Sequence, residues 1–377
     1  MIALIIYTGI LLIKALLAWR YTGTYPRSTA AGRQSGVVSI CQPILSGDPD
    51  LERALESTLL AVPEAAYIWL VDDADFVAAD VAARLVRRYP AHRIRIISLS
   101  EPADGVNPKL FKLEVALKTA SAGILIVLDD DTRLPRRGFE ALCDALERCE
   151  LSTGLPFYRD ADNFHGRLLA QFVNNNSALT YLPLLPLSEP VSINGMCYAV
   201  KTSTLNELGG FTRILRHLTD DLAVADLVRS TGGRIVQTPF PQEVATTVNS
   251  LSRYISQMHR WYVFALLLMR RQSPAMNVAI LVLCGLPPIL LIIGIVQAAL
   301  IPSPMLLSLL GVALLCRAIV LMLVQRFLSG RVRHRPVLSL ISELLQPLHL
   351  LHALLIKSIR WRTRHYRVFD NDRFASL

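Results

Sequence analysis

Three clusters of carboxylates stand out in this 377-residue chain: Asp72-Asp73-Ala74-Asp75, Asp129-Asp130-Asp131 and Asp220-Asp221. Adjacent carboxylates repel one another, so a cluster beside a buried strand persists when a cation or hydrogen-bond donors neutralise it. Side chains two apart on an extended chain point the same way. Asp129 and Asp131 can therefore share a hard divalent ion, Mg²⁺ or Mn²⁺, that already holds a diphosphate. Taken singly, each cluster is equally a solvated turn or a helix cap. Asn107-Pro108-Lys109 opens a helical pattern, where an anion could meet amide dipoles or where a simple turn could lie. Thr219-Asp220-Asp221 precedes a helical stretch and, by itself, reads as a cap with a favourable acid in the first turn. Gln257-Met258-His259-Arg260-Trp261 lies on an amphipathic segment, where Arg and Trp act as interfacial anchors or as ligand contacts.

The elements that must hold these groups follow from periodicity. Residues 37–41, 67–71, 94–98 and 124–128 are short β-branched runs that read as buried strands, separated by helical patterns near 50–61, 76–89 and 110–121. Alternation of strand and helix predicts an α/β domain with a Rossmann-like, mostly parallel sheet, whose ligands gather at the carboxyl ends of strands. Two acidic clusters stand at such ends, after the second and fourth strands. No internal repeat or low-complexity tract is present.

Of all residues, 52% are apolar and only 18% charged, which is too oily for an ordinary soluble enzyme and excludes disorder, collagen and a disulfide scaffold. Residues 1–19 form an almost unbroken apolar run that spans roughly 28 Å at 1.5 Å per residue, enough to cross hydrocarbon. Lys14 comes late and Trp19-Arg20 ends the run, so it reads as an uncleaved anchor rather than a signal peptide, with Arg20, Arg27 and Arg33 on the cytoplasmic side. Residues 276–301, interrupted by Pro287-Pro288, and 305–328 read as two further spans. Arg326, Arg331, Arg333 and Arg335 mark the return to the cytoplasm. Residues 337–356 carry Glu343, His349, His352 and Pro347; an interfacial or re-entrant helix is expected there, because a crossing would leave Lys357, Arg360, Arg362, Arg364 and Arg367 outside. Arg317, in the middle of a span, should face protein, water or a headgroup, or else snorkel.

Fifteen Lys/Arg against three Asp/Glu lie in residues 251–377, whereas residues 1–250 hold 24 against 27. The basicity therefore belongs to membrane flanks, and no nucleic-acid partner is expected. The six cysteines show no metal spacing and read as reduced thiols. The expected organisation is an anchor at 1–20, a cytosolic catalytic domain at 36–250, an interfacial helix at 251–275, and a C-terminal membrane region with a basic cytosolic tail at 276–377. A bacterial inner membrane is the expected location.

In order and spacing, VDDAD (71–75), GVNPK (105–109), LDDDTR (128–133), TGLPF (153–157), NGMCYAVK (194–201), TDDLAVADL (219–227), QMHRW (257–261) and the tail IRWRTRHYRV (359–368) resemble the inverting membrane glycosyltransferases of GT-A fold. The resemblance is strongest to the ceramide glucosyltransferase family with its bacterial hopanoid-glycosylating relatives. It implies that Asp73, with Asp75 close by, contacts the base and ribose of a UDP-sugar, and that Asp129 and Asp131 hold the divalent metal. Asp221 matches the general base and Asp220 its acidic neighbour. Gln257, Arg260 and Trp261 match the (Q/R)xxRW signature that holds diphosphate and shapes the acceptor site, and Asn107 and Lys109 match a donor-site element. The histidine that the eukaryotic ceramide enzymes carry after GLP has no counterpart in residues 172–181, FVNNNSALTY. The implied reaction moves a hexose, glucose above all, from the UDP-sugar to a ceramide-like or hopanoid-like lipid hydroxyl. A processive polysaccharide synthase of the cellulose or hyaluronan type shares the same motifs but needs more spans. A non-catalytic nucleotide-sugar-binding membrane protein would not need Asp221.

Overall fold

The computed structural model describes residues 1–26, 37–121, 123–186, 188–361 and 364–376. Arg27, Arg33, Arg362 and the start of the expected catalytic domain at residue 36 lie outside them. The chain divides into two compact units. One comprises residues 26–159, 189–247 and 362–377; the other comprises 1–25, 160–188 and 248–361.

The first unit is built on an eight-stranded sheet: β1 (Val37–Ile44), β2 (Ala66–Asp72), β3 (Arg93–Leu99), β4 (Gly123–Leu128), β5 (Thr132–Arg133), β6 (Leu151–Tyr158), β7 (Cys197–Lys201) and β8 (Ile235–Val244), in the order β3-β2-β1-β4-β7-β6-β8-β5. The β3-β2-β1-β4 half is parallel throughout, and β7 and β5 run antiparallel to their neighbours. Side-chain alternation sends Ile40, Trp69 and Ile126 into one core with Leu55, Leu85 and Phe139, and Cys41, Leu70 and Val127 into a second with Leu113, Phe211 and Val224. A sheet covered on both faces explains why these strands are almost wholly apolar. Residues 94–98 do form a strand, but not a buried one. β3 is an edge strand, and Arg93, Arg95 and Ser98 keep it exposed and discourage further pairing.

Helices Leu51–Ala61, Phe76–Arg88 and Pro108–Thr119 connect the parallel strands. Asp75 Oδ1 accepts a hydrogen bond from the Ala78 amide at 3.0 Å and so caps the second of these. Asn107 caps the third: its Oδ1 accepts from Lys109 N at 2.9 Å, with Pro108 in the first turn, where its missing N–H goes unused. Residues 364–376, in the expected basic cytosolic tail, contain the antiparallel strands Arg364–Val368 and Phe374–Ser376 and belong to this unit.

Four helices of the second unit are long and apolar enough to cross a membrane: Ile2–Thr24, Pro274–Leu300, Pro304–Ser329 and Pro336–Leu355. In the second of these a π-helical turn, Leu281–Gly285, immediately precedes Pro287-Pro288; the shifted register accommodates the missing amides. The fourth breaks at Leu345 beside Pro347 into Pro336–Leu344 and Gln346–Leu355. A Cβ on Gly294 would collide with the Leu4 side chain, so glycine sets the close approach of the first and second spans. Arg317 is 3% exposed; it donates to Glu343 Oε2 at 2.6 Å and to the Ser339 carbonyl at 2.8 Å, so it faces protein.

Candidate active site

The site lies in the sheet-bearing unit, at the carboxyl ends of its parallel strands, and two lysines one turn apart organise it. Lys109 Nζ sits 2.7 Å from Asp129 Oδ1 and 2.8 Å from Asp220 Oδ2, and donates to the Gly195 carbonyl at 2.8 Å. Lys112 Nζ sits 2.9 Å from Asp72 Oδ1 and donates to the Ile44 carbonyl at 3.1 Å. All three acidic clusters are thus partly neutralised by the protein's own ammonium groups on one helical face. Two carboxylates hold the Lys109 ammonium firmly charged despite its burial.

The three aspartates after β4 occupy a turn, closed by Thr132 N donating to the Asp129 carbonyl at 3.1 Å, and their side chains take different partners. Asp130 turns back, and its Oδ2 accepts from the Leu45 amide at 2.8 Å, tying the end of β4 to the end of β1. Asp129 and Asp131 face the other way. Asp131 Oδ2 accepts from the Thr246 hydroxyl at 2.6 Å, and its carbonyl accepts from the Ala245 amide at 2.8 Å. Burial, offset in part by Lys109 and reinforced by Asp131 and Asp220, pushes Asp129 up to about 6. That carboxyl is short of positive charge, the condition in which an added cation is well received. Among the described residues no three His, Cys, Asp or Glu side chains converge as a self-sufficient metal cage. The pair fits a hard ion that takes its remaining ligands from a diphosphate and water.

Asp220 and Asp221 form the first turn of the helix Asp220–Arg229 and differ sharply in surroundings. Asp220 is buried against Lys109. Asp221 is half-buried, its Oδ1 accepting from the Leu222 amide at 2.8 Å, and burial together with the Asp220 charge pushes it up to about 7. One neighbour is pinned as a counter-ion, and the other is poised to gain and lose a proton near neutrality.

The loop Asn194-Gly195-Met196 closes the site. Asp129 N donates to the Met196 carbonyl at 2.9 Å, and Asn194 N donates to the Thr153 hydroxyl at 3.0 Å. A Cβ on Gly195 would meet Asp221 Cβ at 3.1 Å and the Asp220 oxygens at 3.5 and 3.6 Å, so a side chain there would crowd both acids.

Asn107 has a second task beside its cap. Its Nδ2 donates to the carbonyls of His217 at 2.9 Å and Leu218 at 3.0 Å, just ahead of the acid pair. Asp73 is exposed and makes no side-chain contact with protein among the described residues, whereas both oxygens of Asp75 are engaged, by Ala78 N and by Ser46 N at 2.7 Å.

Sequence reasoning missed Asn371. This fully buried residue accepts the Thr219 amide and hydroxyl on its Oδ1, each at 2.7 Å, and its carbonyl accepts Leu218 N at 2.7 Å. Lone asparagines in polar tails are common, and 152 residues separate it from Thr219, so no local signal marks it.

The profile of Glycosyl transferase family 21 matches residues 1–374. The chain belongs to that family. Among curated relatives, Ceramide glucosyltransferase 1 of Caenorhabditis elegans is 23% identical over 228 residues, which are 59% of this chain and 48% of the relative. The match thus spans about half the relative's length. Among solved structures, a mannosyltransferase from Pyrobaculum calidifontis in complex with GDP-Man and Mn²⁺ has a TM-score of 0.52 at 15% identity, covering 94% of this chain and 97% of that one. The likeness shows a shared GT-A fold. The (Q/R)xxRW signature of the family-21 chain lies in the other unit, on the helix Leu251–Arg270. There Arg260 donates to Gln257 Oε1 at 2.9 Å, and Trp261 stacks on Phe172 with ring centroids 6.2 Å apart and planes inclined by 22°.

Proposed function

We propose that this family-21 chain is an inverting hexosyltransferase that moves glucose from UDP-glucose to a hydroxyl of a membrane lipid of the ceramide or hopanoid class. The observation that carries this reading is the Lys109 bridge, which joins Asp129 to Asp220 beside an Asp221 whose proton affinity is tuned to neutrality. Support for the substrate classes comes from the ceramide glucosyltransferase relative and from the nucleotide sugar and Mn²⁺ held by the structural neighbour.

Asp129 and Asp131 would hold Mg²⁺ or Mn²⁺, which when bound offsets the charge of the departing diphosphate. Asp221 removes the proton from the acceptor hydroxyl. The freed oxygen attacks the anomeric carbon from the side opposite the diphosphate; a C–O bond forms there, the old C–O bond breaks, and the UDP oxygen keeps its electron pair. A single in-line displacement inverts the anomeric centre. Lys109 holds Asp220 in place through their ion pair, and Asp73 and Asp75 receive the nucleoside. Gln257, Arg260 and Trp261 are assigned to the diphosphate and the acceptor by their match to the family signature.

By the same reading, residues 1–20 anchor the chain, 36–250 are catalytic, 251–275 lie in the interface, and 276–377 form the membrane region with its tail. The catalytic residues face the cytoplasm of a bacterial inner membrane. Support for this orientation is the concentration of Arg331, Arg333 and Arg335 between spans. Incubating membranes that contain the chain with several UDP-sugars, followed by mass spectrometry of the lipid fraction, tests the reading. One hexose increment on a lipid, dependent on Mg²⁺ or Mn²⁺, is expected. A ladder of increments would instead indicate a polymer synthase, and UDP-sugar binding without any product would indicate a non-catalytic binder.

A further inference from the structure

The unit that carries the apolar helices contains a cavity of about 30 Å³ that the reaction proposed above does not use. Its polar wall is formed by Lys14, Asn175, Asn176, Arg317, Ser342 and Glu343. Arg317 and Glu343 satisfy one another at 2.6 Å, which leaves Lys14 as the surplus charge. Lys14 is 6% exposed and has no hydrogen bond or ion pair among the described residues. An ammonium group buried within protein and without a counter-ion is strongly unfavourable, so an anion that completes the pocket is favoured there.

The site also has a recognisable depth. Asn175 and Asn176 come from the helix Phe164–Tyr181, which is not among the four candidate spans. One turn earlier on that helix, Gln171 donates to the Arg333 carbonyl at 2.8 Å and accepts from Arg335 N at 3.0 Å, in the basic connection between two spans. Asn175 Nδ2 donates to the Ser339 hydroxyl at 2.7 Å and its Oδ1 accepts from Gln325 at 2.9 Å. The polar wall therefore runs from Asn175, beside Gln325 near the headgroup end of the Pro304–Ser329 span, inward to Arg317 near its middle. A volume of about 30 Å³ admits two or three oxygen-sized atoms. The two non-bridging oxygens of a phosphodiester meet that size and carry the single negative charge that is missing.

We infer that this cavity binds the phosphate of an anionic membrane lipid, with Lys14 as its counter-ion and the amides of Asn175 and Asn176 at its rim. The whole chain, purified in neutral detergent and stripped of lipid, is titrated with phosphatidylglycerol, phosphatidylcholine or inorganic phosphate and followed by thermal unfolding and native mass spectrometry. Phosphatidylglycerol should raise the melting temperature and remain bound, and phosphatidylcholine should do neither. Lys14→Met, which keeps length but not charge, should melt close to the wild type without lipid and bind phosphatidylglycerol at least tenfold more weakly; Lys14→Gln should behave alike. An equal response from inorganic phosphate would support the phosphate site and identify its occupant as a soluble anion. Undiminished phosphatidylglycerol binding by both variants, or equal responses to the two lipids, would overturn the inference.

Discussion

Asp221 and Asp220 are neighbours with opposite assignments, and the difference comes from what each touches. Asp220 is neutralised by Lys109, whereas Asp221 meets mainly the Asp220 charge and its own helix. A base that must be ionised to work, with its pKa lifted to about 7, makes kcat/KM rise with pH through that value and level off above it; a pH profile of initial rates checks this. The stability consequence has the opposite sign. Between the ordinary carboxylate range and about pH 7 the folded chain holds a proton that the unfolded chain has released, so folding weakens as pH rises across that window. Lys109→Met would leave Asp129 and Asp220 buried without their counter-charge, a loss of about 3–5 kcal/mol. That loss should be largest at alkaline pH and shrink as pH falls through about 6, where Asp129 takes up a proton, which thermal unfolding at several pH values would show.

At the level of elements, the site depends on a turn held from far along the chain. Asn371 satisfies both the amide and the hydroxyl of Thr219, the residue that precedes the acid pair. Replacing it by Ala leaves these buried donors unpaired, with an expected cost of about 1–3 kcal/mol. Because Asn371 touches neither acid, kcat should fall several-fold while UDP affinity stays within about twofold; equal losses in both would mark general unfolding rather than misplacement of the turn. Much of this architecture is legible in the sequence. The parallel strands and the Asn-Pro cap follow from local rules. Asp130 as a tie to β1, Asn371, and the Lys109–Asp220 bridge are set by partners 85 or more residues away, and the Lys109–Asp129 bridge joins two separate elements, none of which a local pattern encodes. The exposure of β3 escaped for a related reason: its isoleucines resemble a core strand, and only its place at the sheet edge, with Arg93 and Arg95 beside them, exposes it.

At the scale of the molecule, an apolar composition, four candidate spans and a GT-A sheet belong to one family-21 chain. Arg317 shows how the helical unit tolerates charge: it is buried and paired with Glu343 rather than left to lipid. Arg317→Met should destabilise the detergent-purified chain by about 3–5 kcal/mol, and Arg317→Met combined with Glu343→Gln should recover much of the loss, because the damage comes from the orphaned carboxylate. In the proposed reaction Asp221 is a proton acceptor that does not bind the nucleotide. The most direct measurement compares Asp221→Asn with the wild type in two assays, sugar transfer to extracted lipid and UDP binding in the presence of Mn²⁺. Transfer should fall by a factor of about 10²–10⁴ while UDP binding stays within about threefold. Wild-type transfer by Asp221→Asn, or loss of UDP binding in step with activity, would contradict this role.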